Sequence, residues 1–196
     1  KSLQNIPTEH FGIKDEDERY RKRYLDLLLS PEQRDLFVKK AAFWDVTRAF
    51  MKRHGFLEVE TPTLEVTTGG AEARPFITHH NALDMQLYMR IALELHLKRL
   101  MVGGIERVYE LGRVYRNEGI SVRHNPEFTM LECYQAYGDY RSMMDLTEKI
   151  IVNAIEATDG KFQRRFGETT IDYTPPFQRR TYAELFQQHA GVDPAK

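Results

Sequence analysis

The stretch YRNEGISVRHNPEFTMLE, residues 115–132, decides how the rest of the chain is read. It holds Arg116-x-Glu118, then a loop with Gly119, Arg123, His124, Asn125 and Pro126, then Phe128-x-x-x-Glu132. Residues 107–116 and 127–137 alternate in the manner of strands, and a connection of about ten residues separates them. This spacing predicts an antiparallel hairpin with a long loop. Side chains two apart share a face of a strand. Phe128, Met130, Glu132 and Tyr134 therefore share one face, and Val108, Glu110, Gly112, Val114 and Arg116 share one on the other strand. If the two faces coincide, a single surface carries a guanidinium, an aromatic ring, a carboxylate and a phenol. An arginine fork grips carboxylate or phosphate oxygens bidentately. A phenylalanine face can stack a nucleobase, worth ~1–3 kcal/mol in single-strand systems. Glu132 with Tyr134 would receive an ammonium group. Parity leaves one alternative open, a solvated sheet face on which Arg116 and Glu118 form a surface pair worth under ~1 kcal/mol.

Working outward, residues 15–30 read as one charged helix with acids first and leucines last. Ser30-Pro31-Glu32-Gln33 is a helix start, with Ser30 as N-cap, Pro31 at N1 and Gln33 placed as in a capping box. The helix runs to about His54, with Gly55 at C′. Phe37, Ala41, Trp44 and Met51 recur near helical spacing and predict a buried stripe. Residues 56–60 alternate as a strand that stops at Thr61-Pro62. Strands are expected around 76–80 and 86–91, joined by a turn at 81–84, then a short helix Glu94–Val102 closed by Gly103-Gly104. Tyr140–Thr158 reads as an amphipathic helix, 161–173 as a hairpin, and TYAELFQQHAG as the start of another helix. The fold class expected is α+β, an antiparallel sheet flanked by helices. Neither G-x-G-x-x-G nor G-x-x-x-x-G-K-[ST] occurs, so neither familiar glycine cradle for nucleotides is available.

Composition excludes several partners. With 28 Lys+Arg against 29 Asp+Glu the net charge is −1, so any contact with nucleic acid must be local. The single cysteine, Cys133, has no intrachain partner, which fits a reducing, cytoplasmic setting; Cys133 and Trp44 are each read as packing residues. The 7 histidines lack metal-ligand spacing, and no metal site is expected in this chain. No apolar run approaches the ~18 residues of a membrane span, so no membrane partner is expected.

Arg116-x-Glu118, the loop with Arg123-His124, and Phe128-x-x-x-Glu132 together resemble motif 2 of the class II aminoacyl-tRNA synthetases. GFLEVETP resembles the end of their motif 1. The segments RYRKRYLDLL, TTGGAEARPFITHHNALD, LKRLMVGGIERVYELGRVYRNEG and RHNPEFTMLE look like the bacterial-type lysyl members of that class. The resemblance places motif 1 at about 36–62 and motif 2 at about 107–137. It implies a six-stranded antiparallel catalytic core, ATP as substrate with Mg2+, lysine and tRNA(Lys) as partners, and a homodimer with Pro62 at its interface.

Carried over by position, Arg116 would bridge the lysine carboxylate and the ATP α-phosphate. Glu118, His124, Asn125 and Phe128 would serve ATP, with Phe128 stacked on adenine and Arg123 near the phosphates or the tRNA end. Gly70, Glu94, Glu132 and Tyr134 would line the lysine pocket. Glu94 also has a simpler reading, a carboxylate favoured at a helix N-terminus.

The same resemblance marks departures. Leu93 and His96 stand where the lysyl members usually carry proline and tyrosine. Residues 1–14 read as a linker following an OB-fold anticodon-binding domain, and 15–196 as the N-terminal part of the catalytic domain. Motif 3, the magnesium ligands and a further lysine-binding glutamate are expected beyond residue 196. By itself the chain is therefore expected to be an inactive fragment of a lysine-activating ligase. Two alternatives accompany that reading. One is a paralogue that loads lysine onto elongation factor P or a lipid; the other is a non-catalytic dimerisation or regulatory module.

Overall fold

The computed structural model describes residues 12–192 other than Val122. The expected linker at 1–14 therefore lies almost wholly outside the described residues. The chain forms two compact units: Lys1–Thr47 together with Met144–Lys196, and Arg48–Met143.

In the first unit the charged segment 15–30 forms two helices, α1 (Glu16–Arg21) and α2 (Arg23–Leu29), rather than one. The break is at Lys22, whose φ of −112° and ψ of 45° leave the helical region. Asp26 rewards the break: buried, it accepts from Arg19 at 2.9 Å and Arg23 at 2.5 Å. Helix α3 (Pro31–Arg53) starts as expected, with the Gln33 N–H donating to Ser30 Oγ at 3.4 Å. The other half of the capping box is absent, because the Gln33 side-chain oxygen instead faces Arg23 at 3.5 Å.

The predicted stripe on α3 is buried at one end only. Met51 is fully buried and Trp44 half-buried against Phe43, whereas Leu36, Phe37 and Val38 are exposed. The unit also contains α5 (Tyr140–Thr158) from Met144 onward, the hairpin β7 (Gln163–Phe166) and β8 (Thr169–Asp172), and α6 (Tyr182–Ala190). Thr181 and Glu184 close a full capping box on α6.

The second unit carries the sheets. One has the order β1 (Leu57–Glu58), β5 (Arg107–Tyr115), β6 (Glu127–Gln135); the other has β2 (Leu64–Glu65), β4 (Met85–Met89), β3 (Ile77–His80). The expectation of a purely antiparallel sheet needs correcting, since β1 pairs with β5 in parallel, Leu57 opposite Val108. Among the described residues the strands form sheets of three, three and two. Helix α4 (Glu94–Val102) ends at Gly103-Gly104 as read. Leu93, Leu97, Val108 and Val114 form the core between α4 and the β5–β6 hairpin, with Phe128, Met130 and Tyr134 packed around them.

Beneath this core lies a buried ion pair, Arg90 to Glu110 at 2.7 Å, with side chains 5% and 3% exposed. Arg90 also donates to the carbonyls of Arg113 at 2.7 Å and Thr61 at 2.9 Å. Glu110 accepts from the Thr61 N–H at 3.1 Å and its hydroxyl at 2.6 Å. A Cβ on Gly112 would come within 2.5 Å of Arg90 and 2.7 Å of Glu110, so this strand position admits only glycine.

Candidate functional site

The hairpin register answers the parity question. Val108 faces Tyr134, Glu110 faces Glu132, Gly112 faces Met130 and Val114 faces Phe128. Residues directly opposite in an antiparallel pair project to the same side, so the two predicted faces are one. The ladder continues one step further, with the Arg116 N–H donating to the Pro126 carbonyl at 2.8 Å.

At that end is a cavity of about 360 Å³ lined by Arg116, Glu118, Gly119, Arg123, His124, Asn125, Pro126 and Phe128. All five residues singled out for ATP therefore meet in one place. The Arg116 guanidinium stands 5.3 Å from the centre of the Phe128 ring, a cation–π arrangement that holds both in position. Arg116 Nε donates to the Ile91 carbonyl at 3.3 Å, leaving the rest of its fork unused by that bond. The Arg74 N–H donates to Glu118 at 3.3 Å. The loop is cinched by Ser121 and His124, whose backbones exchange bonds at 3.2 and 3.1 Å and whose side chains meet at 2.7 Å.

The residues singled out for lysine gather at the N-terminus of α4. Glu132 accepts from the Leu93 N–H at 3.1 Å and from the Tyr134 hydroxyl at 3.2 Å. Glu94 pairs with Lys98 at 2.5 Å, and that ammonium lies 6.0 Å from the centre of the Tyr134 ring. The cluster thus already holds one ammonium group. Burial, followed by Glu132 and Glu94, pushes the Tyr134 phenol well up, so it stays a donor across the physiological range.

Gly70 lies against this helix end. Its φ of +85° disfavours other residues, and a Cβ there would stand 3.0 Å from that of Glu94 and 3.1 Å from that of Ala92. Pro62 is exposed and follows Thr61, which the Arg90–Glu110 pair grips.

Sequence reasoning missed two things here. The Arg90–Glu110–Thr61 network joins residues 20 to 49 positions apart, and no local pattern announces it. His96, noted only as a departure, lies 3.0 Å from the buried Glu65. Cys133 packs as expected, half-buried, with its thiol pushed up by burial and then by Glu132. Among the described residues no group of three or more His, Cys, Asp or Glu side chains could hold a metal ion.

Comparison with known families adds the deciding observation. The family model for tRNA synthetases class II (D, K and N) matches residues 15–196. The chain belongs to this family. The class II synthetase domain described here is similar to the lysine–tRNA ligase of Thermoanaerobacter sp., 53% identical over 193 residues, 98% of this chain and 39% of that protein. The lysine–tRNA ligase of Dehalococcoides mccartyi is 52% identical with the same coverage, and that of Moorella thermoacetica 54% identical with 40% of its length covered. This synthetase chain thus spans about two fifths of the length of these curated relatives. No helix among its described residues is long and apolar enough to cross a membrane.

Proposed function

We propose that the protein carrying this chain is a cytoplasmic lysine–tRNA ligase, which activates lysine with ATP and transfers it to tRNA(Lys). The observation that carries this reading is the hairpin register, which sets an arginine and an aromatic ring on the same face as a carboxylate and a phenol. Similarity to ligases named for lysine supports the substrate class. The chain supplies residues 15–196 of a class II catalytic core. An OB-fold anticodon-binding domain ahead of it, the remaining strands of the core and motif 3 after it belong to the proposal.

In the first step the lysine carboxylate attacks the α-phosphorus of ATP, a P–O bond forms, and pyrophosphate leaves. Arg116 would hold the attacking carboxylate and an α-phosphate oxygen together, and its charge would offset what builds up on the phosphate oxygens. Phe128 would stack on adenine, Glu118 would accept from its amino group, and His124 and Asn125 would complete the ATP site. Glu94, beside Gly70, would receive the lysine α-ammonium, and Glu132 with Tyr134 would line the pocket of the longer arm. Magnesium would offset phosphate charge when bound. The described residues offer it no ligand set.

The test is ATP–pyrophosphate exchange by the full-length protein with each amino acid in turn. Lysine is the expected substrate; exchange driven by aspartate or asparagine would overturn the reading. Charging of tRNA(Lys) rather than elongation factor P or lipid separates the ligase from its paralogues. We also expect a homodimer through motif 1, with Pro62 at the contact. The exposed Leu36, Phe37 and Val38 on α3 favour it, because an apolar run of that kind is normally covered. Sedimentation at micromolar concentration should give a dimer, and a monomer would refute the contact.

A further inference from the structure

Glu65 is the one buried side chain among the described residues with an orphaned oxygen. It is 8% exposed; Oε1 lies 3.0 Å from His96 Nε2, and Oε2 has no partner. Such a group is costly to bury unless it does something there. Its strand, β2, joins the sheet through β4, where Glu65 stands opposite Tyr88. The groups facing it are His96 and Arg99 on α4 and Arg90 at the end of β4. Burial pushes the Glu65 carboxyl up, and His96, Arg90 and Arg99 oppose that shift.

Leu93, the N-cap of helix α4, makes no side-chain cap hydrogen bond, so tertiary contacts orient the first turn. Glu132 holds the Leu93 N–H, Leu97 is sunk in the core, and Leu95 fills the space where Gly69 lacks a Cβ, 2.5 Å from its Cδ1. His96 lies two residues after Glu94, about 200° around the helix, and so projects to nearly the opposite side.

We infer that the Glu65–His96 pair is a positioning latch, gripping α4 from behind so that Glu94 meets the substrate ammonium at a set depth and angle. The inference rests on the proposed role of Glu94. It assigns Glu65 and His96 no contact with substrate.

The test measures KM for lysine and for ATP separately by exchange in the full-length protein. His96→Phe keeps the ring volume but removes the donor. It is expected to raise the lysine KM about tenfold with the ATP KM within about twofold. Glu65→Gln keeps an acceptor for His96 and is expected to stay within about threefold of the parent. Because the two residues act as one, His96→Phe with Glu65→Leu should lose no more than about the His96→Phe loss alone. The latch is overturned if both KM values rise together, or if His96→Phe lowers the melting temperature with the lysine KM unchanged. It is also overturned if Glu65→Gln, the variant most able to fold, is itself tenfold impaired. Absence of lysine-dependent exchange in the parent protein would instead refute the functional reading, and the latch with it.

Discussion

Replacing Arg116 with alanine is expected to lower lysine-dependent ATP–pyrophosphate exchange by roughly 10³-fold or more, with little change in stability. The guanidinium is the cation on which charge development at the α-phosphate would depend, and it lies in the 360 Å³ cavity with Phe128 on one side. Its side-chain hydrogen bond to the Ile91 carbonyl is long, 3.3 Å, so losing it should cost no more than about 1 kcal/mol of folding free energy. Arg116→Lys should recover little, because an ammonium cannot present two parallel donors to a carboxylate and a phosphate. Exchange rates across both variants, with melting temperature as control, check this. Activity within tenfold of the parent for Arg116→Ala would remove Arg116 from the chemistry.

Glu110→Gln should have the largest effect on stability, about 3–5 kcal/mol, which corresponds to a fall of roughly ten degrees in Tm. Glu110 and Arg90 are both withdrawn from water, and the pair is further held by hydrogen bonds of Glu110 to Thr61 and of Arg90 to Thr61 and Arg113. A glutamine cannot offset the guanidinium charge, and its amide would point donors at donors. Thermal or urea unfolding reads the loss. A change below about 1 kcal/mol would mean that water reaches the pair.

The parts of the fold legible in the sequence are those whose cause is local. Helix α4 begins at Glu94 and stops at adjacent glycines, and α5 spans the predicted 140–158, because capping and periodicity act within a turn or two. The hairpin could be read because alternation ran through both of its strands. What escaped reading depends on distant partners. The break at Lys22 serves Asp26, which draws in Arg19 and Arg23 from either side of the break. The two-residue β2 carries no period, and the parallel pairing of β1 with β5 joins positions 51 apart.

The candidate site divides the same way. Arg116 to Phe128 lie close in sequence and their shared face follows from parity. The approach of Gly70 to Glu94, and of Glu65 to His96, exists only once the sheet of β2, β4 and β3 brings its loops against α4.

The β5–β6 register bears on how this chain can change over evolutionary time. Every pair from Arg107 with Gln135 to Tyr115 with Glu127 is held by its neighbour across the ladder. Deleting or inserting one residue inside either strand would turn Phe128 and Glu132, or Glu110 and Val114, to the opposite side. The connecting loop is under no such rule, since extra residues at its tip leave both strands in step. Lineages should therefore vary in length around residues 119–123 and almost never within β5 or β6. The hairpin thereby confines length variation to a part of the chain where it cannot scramble the face.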